Sequence, residues 1–194
     1  MIYNSVADIY QAIDESRGRL VARLKDLNDE QQQFRPAEDV WCVAEIAEHL
    51  SISEQQMVKL VGMLLAKADT SAAAAAPAGS DGGAGRQPHA MEPFTLDHFA
   101  EQVRGVKITA PERVRPCGTI PLADSLAKMS ETRAALSALR PRLEAADHSA
   151  ALYPHPAFGP INAYQWLAVI GLHDERHLRQ LELLLETTDE RRES

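Results

Sequence analysis

The 194-residue chain is 45% hydrophobic with a formal net charge of -8. That is enough apolar residue for one globular core, and it is the wrong sign for a nucleic-acid surface. Its two cysteines, Cys42 and Cys117, make neither a disulfide framework nor a CxxC motif. No apolar run approaches the ~20 residues that span a bilayer, and the start, MIYNSVADIYQAIDESRGRL, is amphipathic and acid-bearing, unlike a signal sequence. A single domain over residues 1–194 is expected, cytoplasmic, with no membrane and no nucleic acid as partner.

Ala, Leu, Glu and Arg are plentiful and aromatics are only 5%, which favours helix over sheet. The first helix is expected from Ser5 to Leu27, with Val6, Ile9, Tyr10, Ile13, Leu20, Leu24 and Leu27 in its 3.6-residue period and Ser5 with Asp8 as a capping pair. Asn28 to Asp39 is polar, contains Pro36 and reads as a loop. The second helix is expected from Trp41 to about Ala68, with Cys42, Ile46, His49, Ser53, Met57, Leu60 and Leu64 on one stripe. Residues 70–93, rich in Ala, Gly and Pro and holding His89, read as a flexible surface loop that the five-alanine run shortens slightly. A short helix follows over Phe94–Val103, then an extended connection over Ile108–Ile120.

The third helix opens at Pro121 and buries Leu122, Leu126, Met129, Leu136 and Leu139, with Pro141 ending or kinking it. His148–Gly159 reads as a loop. It carries His155, which could approach the mouth of a site at the start of the next helix. The fourth helix is expected from Pro160, at its first position, to Glu186. No hairpin signal is visible. These elements predict an all-α fold, an antiparallel four-helix bundle with a long crossover between helices two and three.

On the fourth helix, His173 and His177 continue the apolar stripe of Trp166, Ile170, Leu181 and Leu184, while Asp174, Glu175, Arg176 and Arg179 are expected on outer faces. Histidines four apart stand one turn above each other and can converge on one ion. With His49 facing inward from the second helix they make a candidate three-histidine site. Neutral imidazoles suit Zn, Ni, Cu or Fe better than Mg or Ca, and three protein ligands leave a position open. Glu45, one turn before His49, has two readings: a carboxylate beside the metal, or a cap for the backbone N–H groups at the helix start. Ser53 could line the same cavity. H-D-E-R-H fails as a zinc-protease HExxH because Asp174 stands where glutamate is needed. Neither a GxSxG elbow nor a phosphate loop is present.

Several runs together resemble the DinB-like (DinB/YfiT) superfamily: W-C-V-A-E-I-A-E-H-L at 41–50, A-P-E-R-V-R-P-C-G at 110–118, H-P-A-F-G at 155–159, Gln165-Trp166, and H-D-E-R-H-L-R-Q at 173–180. The resemblance implies a four-helix bundle whose three histidines, here His49, His173 and His177, hold a divalent metal (Zn or Ni, with Fe or Mn as further options), with Glu45 and Gln180 as supporting candidates. It also implies a small-molecule substrate, a homodimer, and chemistry such as transfer from a low-molecular-weight thiol. A metal-dependent hydrolase and a non-catalytic bundle remain the alternatives.

Overall fold

Ser5 begins the first helix as its sequence predicts. Its Oγ accepts the Asp8 N–H at 3.2 Å, and Asp8 Oδ2 accepts the Ser5 N–H at 3.1 Å. This reciprocal pair satisfies two donors that a helix start leaves orphaned. In the computed structural model, which describes residues 1–75, 91–106 and 108–193, the cap opens α1 (Val6–Leu24). The helix stops three residues short of the expected Leu27. Residues expected to be loop form a five-residue α2 (Asp29–Gln33), because Asn28 and Gln31 make a second capping box.

The second long helix, α3, runs Val43–Ala75 and so reaches beyond Ala68 into the alanine run, where helix propensity is highest. Residues 76–90 of the expected surface loop, including His89, lie outside the described residues. The chain then pairs β2 (Phe94–Thr95) antiparallel with β1 (Ile2–Tyr3) and continues through α4 (Asp97–Gln102). The expected extended connection contains one 3-10 turn, Glu112–Val114. The third long helix, α5 (Leu122–Ala145), has Pro121 at its cap and passes through Pro141 without ending there. The carbonyl deprived of a donor by Pro141 belongs to Ser137, which is exposed, so water can serve it.

The largest departure from expectation lies before the last helix. The stretch expected as loop folds into a hairpin, β3 (Leu152–His155) with β4 (Gly159–Asn162), and Pro160 sits in β4 opposite Pro154. Proline is tolerated in a two-stranded ribbon because each strand has a free edge. Gly159, at φ 71°, closes the three-residue loop in the left-handed conformation that glycine adopts without strain. The helix α6 therefore starts at Ala163 and runs to Glu193. Its cap is Asn162, whose Oδ1 accepts the Gln165 N–H while Gln165 Oε1 accepts the Asn162 N–H, both at 2.9 Å.

The four long helices form a ring in which α1 neighbours α6, α6 neighbours α3, α3 neighbours α5, and α5 neighbours α1. Arg17 meets Asp174, and a Cβ on Gly171 would touch Ile13, so α1 and α6 run the same way. Asp69 meets Arg142, and a Cβ on Gly62 would touch Leu139, so α3 and α5 also run together. The two pairs are mutually antiparallel, and the long crossover from α3 to α5 makes that arrangement reachable. The core divides in two. One cluster gathers Ile9, Ile13, Val61, Leu65, Leu136 and Leu167; the other gathers Leu20, Leu24, Ile46, Leu50, Met129 and Leu181. Between them lies a buried polar belt containing Arg17, His49, Glu54, Thr132, Asp174 and His177.

Candidate metal centre

His49 projects from the second turn of α3, and His173 and His177 project from consecutive turns of α6. Because α3 and α6 pack antiparallel, the three side chains meet in the belt. His173 Nε2 lies 3.3 Å from His49 Nε2 and 3.2 Å from His177 Nε2. His49 and His177 are buried and His173 is half-buried. Among the described residues no cysteine, aspartate or glutamate joins them within ligand reach.

Each outer histidine is oriented from behind. The carbonyl of Val114 can only accept, so the His49 Nδ1 at 2.7 Å carries the proton and its Nε2 lone pair is free. Gln180 Oε1 stands 2.9 Å from His177 Nδ1 and fixes that ring in the same tautomer. The Trp41 ring lies against His49 with centroids 4.9 Å apart, and Ser53 Oγ is 3.4 Å from His49 Nδ1. Burial holds His49 below its ordinary value despite the Val114 hydrogen bond. Burial, then repulsion from His177 and His49, holds His173 well below its own. Burial, then His49, takes His177 down to about 3. All three rings are neutral at pH 7, so no charged imidazolium opposes an incoming cation.

The donor set fits a divalent metal. Tetrahedral ligands at ~2.0–2.1 Å from zinc stand roughly 3.3–3.4 Å from one another; His173 Nε2 stands 3.3 and 3.2 Å from the other two nitrogens, and all three ligand atoms lie within 4.8 Å of one another. Three imidazole nitrogens crowded together have one proton at most to share, whereas an ion satisfies all of them at once.

Of the other sequence candidates, Gln180 sits at the site as described. Glu45 does not turn to the histidines: its Oε2 accepts the Cys42 N–H at 2.9 Å and its Oε1 pairs with Arg35 at 2.8 Å. The capping reading is the one its contacts support. His155 stacks on Phe158 with centroids 4.1 Å apart and packs against Trp166; burial takes it down to about 4.

Three features escaped the sequence reading. Asp174, expected on an outer face, is 1% exposed. Arg17 Nε and Nη2 donate to its two oxygens at 3.0 and 3.2 Å. Glu54 completes the group with Oε2 at 2.9 Å from Arg17 Nη2, an ion-pair distance without hydrogen-bond alignment, and neither of its oxygens has an aligned donor. The available signal was Arg17 itself, which interrupts the apolar stripe of α1 between Ile13 and Leu20 and so demands a buried acid. The second feature is Glu48, a buried carboxylate bound to the turn before α5. The third is Arg176, which donates to the Val103 and Val106 carbonyls at 2.9 and 2.8 Å.

Comparison with known proteins agrees with this architecture. The chain is 26% identical over 179 residues to the uncharacterized protein YuaE of Bacillus subtilis (strain 168), covering 89% of this chain and 94% of that protein. It shares the fold of TT2238, a four-helix bundle protein solved by crystallography, with a TM-score of 0.58 and 18% identity over 92% of this chain and 99% of that one. The profile of the DinB superfamily matches residues 12–181, and with that match over most of its length the chain belongs to the DinB superfamily.

Proposed function

We propose that this protein is a metal-dependent enzyme that joins a low-molecular-weight thiol to a small electrophile at an ion held by His49, His173 and His177. The observation that carries this reading is the convergence of three neutral Nε2 atoms at 3.2 and 3.3 Å with no fourth ligand among the described residues. Three protein ligands with an open position are typical of catalytic rather than structural sites. A divalent ion there, such as zinc or nickel, would supply Lewis acidity that lowers the pKa of a thiol.

The chain's own residues do the rest. Val114 and Gln180 hold two rings in the tautomer that presents Nε2. Trp41 packs against one side of His49. The Arg17–Asp174 pair locks α6 to α1 next to His173, so the histidine pair keeps its height in the bundle. In the reaction a sulfur–carbon bond forms, the electrophile's leaving group departs with its electron pair, and the thiol proton passes to solvent.

The test is loss of thiol from a mixture of zinc- or nickel-loaded protein, a low-molecular-weight thiol and an alkyl halide. The reading expects turnover above that of metal-free protein and of His173→Ala. Equal rates in all three, once metal is shown to be bound in the loaded parent, would favour a metal-dependent hydrolase or a non-catalytic bundle.

A further inference from the structure

Glu48 and His49 are consecutive in α3 and both are buried, with exposures of 3% and 4%. Their side chains reach the same short stretch of chain. Glu48 Oε1 accepts the Cys117 N–H at 2.9 Å and Oε2 accepts the Gly118 N–H at 3.0 Å. Three to four residues upstream, the Val114 carbonyl accepts the His49 Nδ1–H at 2.7 Å. The segment that carries this carbonyl is tied back on itself just upstream, and Pro116 restricts the link from there to Cys117. The Val114 N–H donates to Pro111 O at 3.0 Å, the Arg115 N–H to Glu112 O at 3.1 Å, and Arg115 Nε to Ala110 O at 3.0 Å. Gly118 has φ +75°, and a Cβ there would stand 3.1 Å from Glu45 Oε1, so glycine lets the backbone come down onto the first turns of α3.

We propose that Glu48 is a positioning residue of the metal centre: by mooring the Cys117 and Gly118 N–H groups it holds the Val114 carbonyl behind His49 and so keeps the His49 Nε2 bare for the ion. This inference rests on the three-histidine reading. The path is closed and short: carboxylate to two backbone N–H groups, along the turn to one carbonyl, then back to the imidazole next to Glu48 in sequence. A hydrogen bond to one ring nitrogen decides which nitrogen carries the proton, and partners behind metal-ligating histidines tune metal affinity. A carboxylate usually does this by touching the imidazole directly; here it acts through the backbone.

Two variants separate the positioning role from a merely structural one. Glu48→Ala removes both acceptors. Glu48→Gln keeps one acceptor and places an amide donor against the other N–H. Both N–H groups belong to exposed residues, so water can replace the lost partner and the fold should survive; should the alanine variant fail to fold, the glutamine variant decides. The first readout is the nitrogen-15 spectrum of the His49 imidazole in metal-free protein. The parent should show a protonated Nδ1 and a bare Nε2. The alanine variant should gain the Nε2–H tautomer, with the glutamine variant between them. The second readout is zinc affinity by competition with a chromophoric chelator, expected to fall roughly tenfold for Glu48→Ala. Tyr10→Phe, which removes a hydrogen bond to Leu136 O in the other core cluster, should change neither readout. An unchanged His49 tautomer in both variants overturns the proposal, even if zinc affinity falls, because the loss would then have another route. A parent that takes up no zinc defeats the metal reading alone, and the tautomer spectra still decide the role of Glu48.

Discussion

The Arg17–Asp174–Glu54 group makes a quantitative prediction for Glu54→Gln. One guanidinium faces two buried carboxylates, and only Asp174 receives aligned hydrogen bonds from it. Burial pushes Glu54 up to about 7, against Arg17, which pulls it down; burial likewise takes Asp174 up to about 6. A raised carboxyl pKa means that the folded state binds the proton more tightly than the unfolded chain. Stability from this source is therefore full below the unfolded pKa, near 4.5, and is lost as pH rises through the folded value near 7. The difference of about 2.5 units corresponds to about 3 kcal/mol in all, and about 2–3 kcal/mol of it falls between pH 5 and pH 8. Glutamine is neutral throughout and resembles the protonated acid in shape. The variant should thus match the parent within about 1 kcal/mol at pH 5 and exceed it by about 2–3 kcal/mol at pH 8. Urea unfolding of metal-free protein at both pH values gives the numbers, and the variant-minus-parent difference cancels the titration of the histidines. A difference that does not change with pH would refute the argument and would mean that both carboxylates are ionised in the fold.

Two further outcomes follow from the contacts. Ser5→Ala removes the hydroxyl half of the α1 capping box and should cost about 1 kcal/mol in urea unfolding; no change would mean that water caps this helix equally well. Gln180→Ala removes the partner of His177 Nδ1 and should weaken zinc binding roughly tenfold while leaving urea stability of the metal-free protein within about 0.5 kcal/mol. Unchanged zinc affinity would show that the ring holds its tautomer unaided.

The bundle was legible because its helices carry long apolar stripes, and His49, His173 and His177 were legible because they continue those stripes. Their meeting was not legible from spacing, which within one helix says nothing of the distance to another; only the resemblance to the DinB-like superfamily implied it. Asp174 was misplaced because a helix with neighbours on two sides buries a wider arc than the stripe of Trp166, Ile170, Leu181 and Leu184 marks out. The hairpin before α6 was missed because Pro160 has two good roles, first turn of a helix or edge of a ribbon, and local sequence favours the former. The Asn162–Gln165 pair, a capping-box spacing, was the signal that the helix begins later. Glu45 had two readings, and the backbone N–H of Cys42, with no helical partner, claimed it. Glu48 gave no sign at all, because its partners are backbone groups nearly seventy residues away.

The central claim is that His49, His173 and His177 together hold one divalent ion. Its most direct test is elemental analysis of the untagged protein beside His49→Ala, His173→Ala and His177→Ala, with circular dichroism confirming that each is folded. The parent should carry about one zinc or nickel per chain, as isolated or on reloading, and every single variant should lose it. A parent that stays metal-free after reloading, with variants differing only in stability, would contradict it and leave the three imidazoles as packing residues of the polar belt.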